Sequence, residues 1–443
     1  MASIFRIIRP EPILFILWAN ELVRLVWSPP FLQTAAGWLM ILFVLLSLPH
    51  IRRGTAYLCI PLAVLAGGLA VCFDQAEGVL RGFHNAAVFM AFFGSIVLLR
   101  ALADRRPEIS KARNLFTNLR EEQINGAFLV GAHVIGSILV VGVMAILAPI
   151  LKQNADAPTR RRAAEVSQRG MCLAPLWSPF WIASAFATQQ LPGVPAWEIM
   201  VLGLVLAAIG LVMAHMMYAR DVGISDLWQA VLGFAPIVPT VALCAAMIAG
   251  LSTVAGLSTL KALIATIPVL AILSLIAASR SNLRAVATET WRGSNRVGDE
   301  IVVVTTALVL GRVLEAAIGD LGMGEAMAAL AIPAWGVIAC AIFAMTLSSL
   351  VGIHQLVSMI VVLVVFAPLE TGVNDTILME ASLIGWAFAS MIGVTAVSTA
   401  TASAMFNVPR VQLIFGPNLA FAAAFGVLSV VLLTLANGLF FGS

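Results

Sequence analysis

Charge is scarce in this chain. Asp, Glu, Lys and Arg make up only 11% of the 443 residues, against 61% hydrophobic ones. A water-soluble domain carries about twice that charge to cover its surface. The chain has only 5 His and 5 Cys. The cysteines (Cys59, Cys72, Cys172, Cys244, Cys340) stand singly in apolar runs, with no C-x-x-C and no His/Cys cluster, so neither a metal nor a redox centre is expected. The absence of a G-x-x-x-x-G-K-[ST] loop argues against direct use of ATP. A net charge of +3 gives no footing for nucleic acid. The opening MASIFRIIRPEP lacks a small-residue cleavage site, so no removed signal peptide is expected.

Long apolar runs are what the chain has in place of charge. Runs of about 18 residues or more recur from end to end and read as transmembrane helices. Strand-like alternation is absent, which excludes a barrel. The spans fall near 11–28, 34–50, 55–73, 84–103, 170–191, 197–219, 227–251, 255–279, 300–319, 378–406 and 411–440. Two further apolar stretches, 113–151 and 333–369, need a different reading. The first lies between two basic segments, DRRPEISKARNLFTNLREE and KQNADAPTRRRAAEVSQR, which both belong on the cytoplasmic side. A re-entrant hairpin turning at Gly131 satisfies that requirement, since Gly accepts tight backbone angles cheaply. The second lies between acidic segments without Lys or Arg and reads as a hairpin from the outer side. The expected fold is therefore an all-α polytopic membrane protein with about 11 transmembrane helices plus two re-entrant hairpins. Its N-terminus is cytoplasmic, its C-terminus outside, and its membrane is the bacterial inner one.

The two stretches resemble each other. Residues 129–149 read LVGAHVIGSILVVGVMAILAP and residues 350–368 read LVGIHQLVSMIVVLVVFAP. His133 and Ser137 match His354 and Ser358 at one offset. Beyond them, APLWSPFWIASAFATQQLPGVP (174–195) matches AFASMIGVTAVSTATASAMFNVP (387–409), with Ser184 against Ser398 and Pro195 against Pro409. Each half then holds a hairpin, a Ser/Thr-rich helix and a closing helix, with opposite starting sides. This is an inverted-topology repeat, divided as N-terminal helices 1–54, a first repeat 55–220 and a second repeat 221–443. Such repeats put the solute and ion site where hairpin tips and broken helices meet.

Candidate binding residues follow from that logic. Pro179 lacks the helical N–H and breaks its span; Gly393 marks the matching place. Around the breaks stand Ser178, Ser184 and Thr188 in one half and Thr395, Ser398, Thr399 and Thr401 in the other. Broken helices free carbonyls for a cation and amides for an anion. The hairpins add Asn125, Gly131 and His133, and Ser348, Ser349, Gly352 and His354. A His within the membrane can hold an anion or pass a proton, or simply bond a neighbouring helix. Glu21/Arg24 and Arg312/Glu315, both at i,i+3, read as structural ion pairs. No Asp lies in the middle of a proposed span, which counts against carboxylate-based proton exchange.

These opposed hairpins and interrupted helices resemble the ion transporter superfamily, which includes divalent-anion/sodium symporters, arsenite exporters and the large membrane subunits of tripartite carboxylate transporters. The resemblance covers about residues 55–443. It implies an elevator-type secondary transporter, dimeric, moving a small anionic solute such as an organic acid across the lipid bilayer. The coupling ion, Na⁺ or H⁺, stays open, and no other cofactor is implied. The symporters carry Ser-Asn-Thr at each hairpin tip. Here the tips read NGAFLVGAH (125–133) and TLSSLVGIH (346–354), so sodium ligation does not carry over. The alternatives are a membrane subunit that needs an extracytoplasmic binding protein, a membrane-embedded enzyme, or a channel.

Overall fold

Backbone N–H and C=O groups find no water in hydrocarbon, so apolar runs of this length must close their hydrogen bonds internally. They do so as helices. The computed structural model describes residues 9–103, 105, 124–151, 154–218, 238–276, 280–322, 325, 329–369 and 371–442, and it contains no strand among them. Among the described residues eight helices are long and apolar enough to cross a membrane. The chain is an all-helical, polytopic, integral membrane protein.

In chain order the helices are α1 (Glu11–Arg24), α2 (Pro30–Ser47), α3 (Arg53–Cys72), α4 (Ala76–Ala103), α5 (Ile124–Leu139), α6 (Val143–Leu147), α7 (Ala157–Cys172), α8 (Ile182–Gln190), α9 (Ala196–Tyr218) and α10 (Val238–Ala255). They continue as α11 (Thr259–Ile276), α12 (Arg280–Ser294), α13 (Gly298–Ala317), α14 (Ala334–Leu350), α15 (Gln355–Phe366), α16 (Asp375–Ile392), α17 (Val397–Phe406), α18 (Arg410–Ile414) and α19 (Pro417–Phe440). They form two compact units, residues 1–103 with 261–331, and residues 104–260 with 332–443. Each unit thus draws a piece from each half of the chain, across the repeat boundaries read from the sequence.

In the first unit α4 is the central helix, packed by α1, α2, α3, α12 and α13. Gly82 lets α4 lie almost on the backbone of α13: a Cβ there would stand 2.5 Å from Val309 Cα. Small residues at a seam allow this approach where no hydrophobic force separates helix from lipid. The two i,i+3 ion pairs form as the spacing indicates, Arg24–Glu21 at 2.5 Å and Arg312–Glu315 at 2.6 Å. The basic joint at 280–296 is largely a helix, α12, whose Trp291 stacks on Phe15 of α1 at 5.2 Å.

In the second unit α16 is central and buried along its length; α14 covers it most, with α15, α19, α9 and α8 around it. The second hairpin is present as a helix pair. α14 ends at Leu350, the chain turns through Val351–Ile353, and α15 starts after His354. Gly352 has φ +93°, which an L side chain rarely adopts. Its N–H and that of Ile353 bond back to Ser349 O and Ser348 O, at 3.2 and 2.9 Å.

The first copy of the motif behaves differently. LVGAH lies inside α5, and the chain does not turn at Gly131. Nothing in Ile124–Leu139 interrupts a helix: it has no Pro, and Gly in a helix interior costs only about 1 kcal/mol. Packing on α7 offsets that cost. A Cβ on Gly170 of α7 would stand 2.1 Å from Leu129 O, so the two helices meet backbone to backbone. The earlier arm of the expected hairpin, 113–123, lies outside the described residues.

The basic stretch 152–169, expected as a cytoplasmic joint, is largely helical as well. α7 begins at Ala157 with Asp156 as its N-cap, whose carboxylate accepts the Thr159 N–H at 2.9 Å. The Thr159 side chain, and after it this N–H, hold the Asp156 carboxyl below its usual range. Residues 163–172 of α7 are all buried, Glu165, Gln168 and Arg169 included. Pattern reading placed them in water because no apolar stripe announces the helix. Inside the protein Glu165 pairs with Arg161 and Arg169 of the same helix, while Gln168 and Arg169 also reach groups of other helices.

Candidate functional site

Both Ser/Thr-rich spans are interrupted where the sequence indicates. In the first, α7 gives way to a 3₁₀ turn, Ala174–Leu176, and an irregular stretch through Ser178 and Pro179 before α8 begins. Pro175 and then Pro179 supply no N–H, so no continuous helix can run through this stretch. In the second, α16 stops at Ile392, Gly393 turns to ψ 139°, and α17 starts at Val397.

Hydroxyls close both gaps. Ser184 Oγ donates across the first break to Ser178 O at 2.8 Å, and Ser178 Oγ donates to Ser137 O of α5 at 2.6 Å. Thr188 Oγ1 donates to Ser184 O at 2.8 Å. In the second break Ser398 Oγ bonds Ser390 O, while Thr399 Oγ1 reaches Ser390 O and Met391 O at 3.3 and 3.2 Å. The pair Ser184 and Ser398, aligned between halves, therefore does the same work in each. The hairpin tip joins here too, with Val394 N donating to Ser349 O at 3.1 Å. Ser348 and Ser358 share a bond of 2.6 Å and fasten α14 to α15 below the tip.

The two histidines hold structure. His133 Nδ1 lies 3.0 Å from Gly170 O, and Trp177 Nε1 donates to His133 Nε2 at 3.0 Å. The ring is neutral, with its proton on Nδ1, and ties α5 to α7 and to the first break. His354 Nδ1 accepts the Leu356 N–H at 3.2 Å and caps α15. Asn125 stands at the start of α5, away from the break. Thr395 is exposed in the second break, and Thr401 is half-buried one turn into α17.

Pattern reading missed the residues that connect these pieces. Gln168 of α7 donates to Met391 O and Thr399 Oγ1 at 3.3 and 3.4 Å. Its Oε1 accepts from Asn418 Nδ2 of α19 at 3.2 Å. One amide thus joins the end of α16, the start of α17 and α19. Asn418 is fully buried, and its Oδ1 has no partner among the described residues. The nearest signal in the sequence is a Gln-Arg-Gly run entering an apolar segment.

A cleft of about 620 Å³ opens directly beside this network. Its walls include Arg161, Arg162, Glu165, Arg169, Tyr218 and Gln412. Arg169 and Pro417, which line it, are the chain neighbours of Gln168 and Asn418. Arg169 is only 1% exposed; its guanidinium lies 3.9 Å over the Tyr218 ring and 3.7 Å from Glu165, and its Nε has no partner among the described residues. Arg161 binds the same carboxylate at 2.8 Å. Three guanidiniums against one carboxylate leave the cleft positive, and planar guanidiniums suit carboxylate or phosphate oxygens.

Two of the carbonyls freed at the second break, those of Ser390 and Met391, are fully used. Ser390 O accepts from Ser398 and Thr399, and Met391 O accepts from Thr399 and Gln168. A carbonyl has two lone pairs, so neither has one left for a cation. Among the described residues no group of three or more His, Cys, Asp or Glu could hold a metal ion.

No known family profile and no curated protein matches the chain. Among solved structures the chain is similar to the YdaH transporter of Alcanivorax borkumensis, described as having an unusual topology. The TM-score is 0.52 at 13% identity, over 87% of this chain and 98% of that one. That likeness is one of fold.

Proposed function

We propose that this protein is a secondary active transporter that moves a small anionic solute through its second unit. The observation that carries the reading is the pair of interrupted helices in that unit, joined through Gln168, whose chain neighbour Arg169 lines the arginine-rich cleft. A helix that stops and restarts inside apolar protein is costly, and broken spans of this kind serve solute and ion sites in transporters. α8 and α17 also restart with the positive ends of their dipoles at the breaks, which favours negative charge there. The likeness to a transporter fold supports the reading.

In this reading the second unit is the elevator's carrier, the first is its scaffold, and the working form is a homodimer. The chain lies in a bacterial inner membrane with its N-terminus cytoplasmic and its C-terminus outside. The solute is an organic acid or a similar anion, and movement is driven by Na⁺ or H⁺.

The test is thermal unfolding of the purified protein against a panel of small organic and inorganic anions, in Na⁺ and in K⁺, at two pH values. A ligand held only by the folded state raises the midpoint, because it stabilises that state by about 2.7 kcal/mol at a hundred times its dissociation constant. Stabilisation by one class of anion, lost in Arg169→Met, supports the reading and names the solute class. Silence across the panel in the parent protein refutes an anion carrier that works alone. Weight then moves to a transporter fed by an extracytoplasmic binding protein or to an embedded enzyme.

A further inference from the structure

Glu380 has no place in the site described above. It lies in the second turn of α16, is 0% exposed, and neither carboxyl oxygen has a hydrogen-bond partner among the described residues. Its surroundings are one crowded junction. At Gly203 of α9, a Cβ would stand 2.0 Å from Leu176 O and 2.9 Å from Glu380 Oε1. Leu176 closes the 3₁₀ turn at the first helix break, while α16 leads to the second. The carboxyl therefore sits where the two interrupted spans and α9 are pressed together.

No cation faces it. Of the elements packed on α16, the 174–176 turn, α8, α15, α17 and α19 contain no ionisable side chain, although His354 caps α15. α14 contributes Cys340, which is exposed. α7 contributes Arg160, Arg161, Arg162, Glu165, Arg169 and Cys172, and meets α16 at Met391, about 16 Å along the helix from Glu380. α18 contributes Arg410. α9 contributes Glu198 and, near its other end, His215 and Tyr218. Thr376 Oγ1 donates to Glu198 Oε2 at 2.7 Å, and Thr376 is one turn from Glu380 on the same face of α16. Half-buried Glu198, Thr376 and Glu380 thus form a file of oxygens leading from the Asp375 end of α16 to the junction.

Burying an ionised carboxylate without a partner costs far more than burying the neutral acid. A sodium ion is a poor substitute for a proton here. It wants several oxygens at once, and the junction shows one carbonyl beside the carboxyl. We propose that Glu380 is a reversible proton-binding site, loaded by way of Glu198 and Thr376, and that its proton locks the packing of α16 on α9 and on the first helix break. The proton joins one carboxylate oxygen next to the Leu176 carbonyl and leaves from the same oxygen. Ionised, the side chain must find water, and the junction opens. On the transporter reading given above, this makes H⁺ the coupling ion.

The test needs no solute. Hydrogen exchange would be followed in segments 174–181 and 198–206 of the reconstituted full chain over a range of pH, corrected for intrinsic rates. If opening releases one proton, protection falls about tenfold per pH unit above neutrality in the parent protein. It becomes flat in Glu380→Gln, which mimics the neutral acid. Infrared difference spectra of the parent should show a protonated, buried carboxyl at neutral pH that is absent in Glu380→Gln. Should the Gln variant not fold, Glu380→Asp keeps the proton and the pH slope but moves the band. A flat parent profile, or equal slopes in parent and Gln variant, overturns the proposal. Such a result would strike the proton site alone; silence in the anion panel would strike the anion carrier that works alone and leave the proton site standing.

Discussion

Gly170→Ala puts the close seam between α5 and α7 to a quantitative test. The added Cβ would stand 2.1 Å from Leu129 O, 3.0 Å from Leu129 C and 3.1 Å from Ala132 Cβ. Two of these three are backbone atoms that no rotamer change can move. The helices must part by roughly 1 Å, which forfeits a quarter to a half of the dispersion energy along the seam. The same displacement stretches the 3.0 Å bond from His133 to Gly170 O. Overpacking and the strained bond together should cost about 3 kcal/mol. Gly68→Ala in α3 is the control, because nothing lies within 4 Å of its Cβ position. There the change should be neutral or stabilise by about 0.5–1 kcal/mol, since Gly loses more entropy than Ala on entering a helix. Thermal unfolding in detergent, followed by the loss of helical circular dichroism, reads both. If Gly170→Ala melts with the parent, α5 and α7 do not meet backbone to backbone, and the placement of the first motif inside α5 fails with them.

Three further outcomes are expected. Gly352→Ala forces an L residue to φ +93° at the hairpin turn and should cost about 1–3 kcal/mol in the same melt. His133→Phe leaves the Trp177 indole N–H and the Gly170 carbonyl without their partner. It should destabilise by about 2 kcal/mol or more and change the Trp177 emission, whereas a His that only relayed protons would leave stability unchanged. For any anion that stabilises the parent, Arg169→Lys should keep part of the shift and Arg169→Met should lose it. A guanidinium binds in a plane and an ammonium as a point charge, so equal losses would place the anion elsewhere.

The two helix breaks and the turn of the second hairpin were the legible part of this sequence, because they are caused locally. Pro179 stands in the stretch between α7 and α8, where a residue without an N–H bars a continuous helix, and Gly393 and Gly352 mark the second break and the hairpin turn. The aligned Ser184 and Ser398 were readable for the same reason: a hydroxyl near a helix break can reach a freed carbonyl without help from distant chain. The helical class followed from hydropathy alone, since hydrocarbon leaves a backbone no other way to satisfy itself.

The rest depends on partners that no local pattern encodes. LVGAH and LVGIH share four of five letters, yet one is helix and the other is a turn. The difference lies in what each meets. Gly170 of α7 receives the first copy along its backbone, whereas the Ser348 and Ser349 carbonyls close the second into a turn. α7 shows the same dependence in reverse. Its Glu165, Gln168 and Arg169 read as a water-facing joint, but each has a buried partner supplied by sequence far away or by the next turn. Glu380 escaped notice because it falls near the end of its proposed span, where a carboxylate could reach water. Only the packing of α9 and the 174–176 turn over it shows that it cannot. Polar residues at span ends are thus ambiguous in sequence: the same letters serve a solvated edge or a buried site. What decides between them is whether another helix arrives to cover the side chain. In this chain the covering helices belong to the unit that holds both breaks, which is why the missed residues cluster around the candidate site instead of scattering.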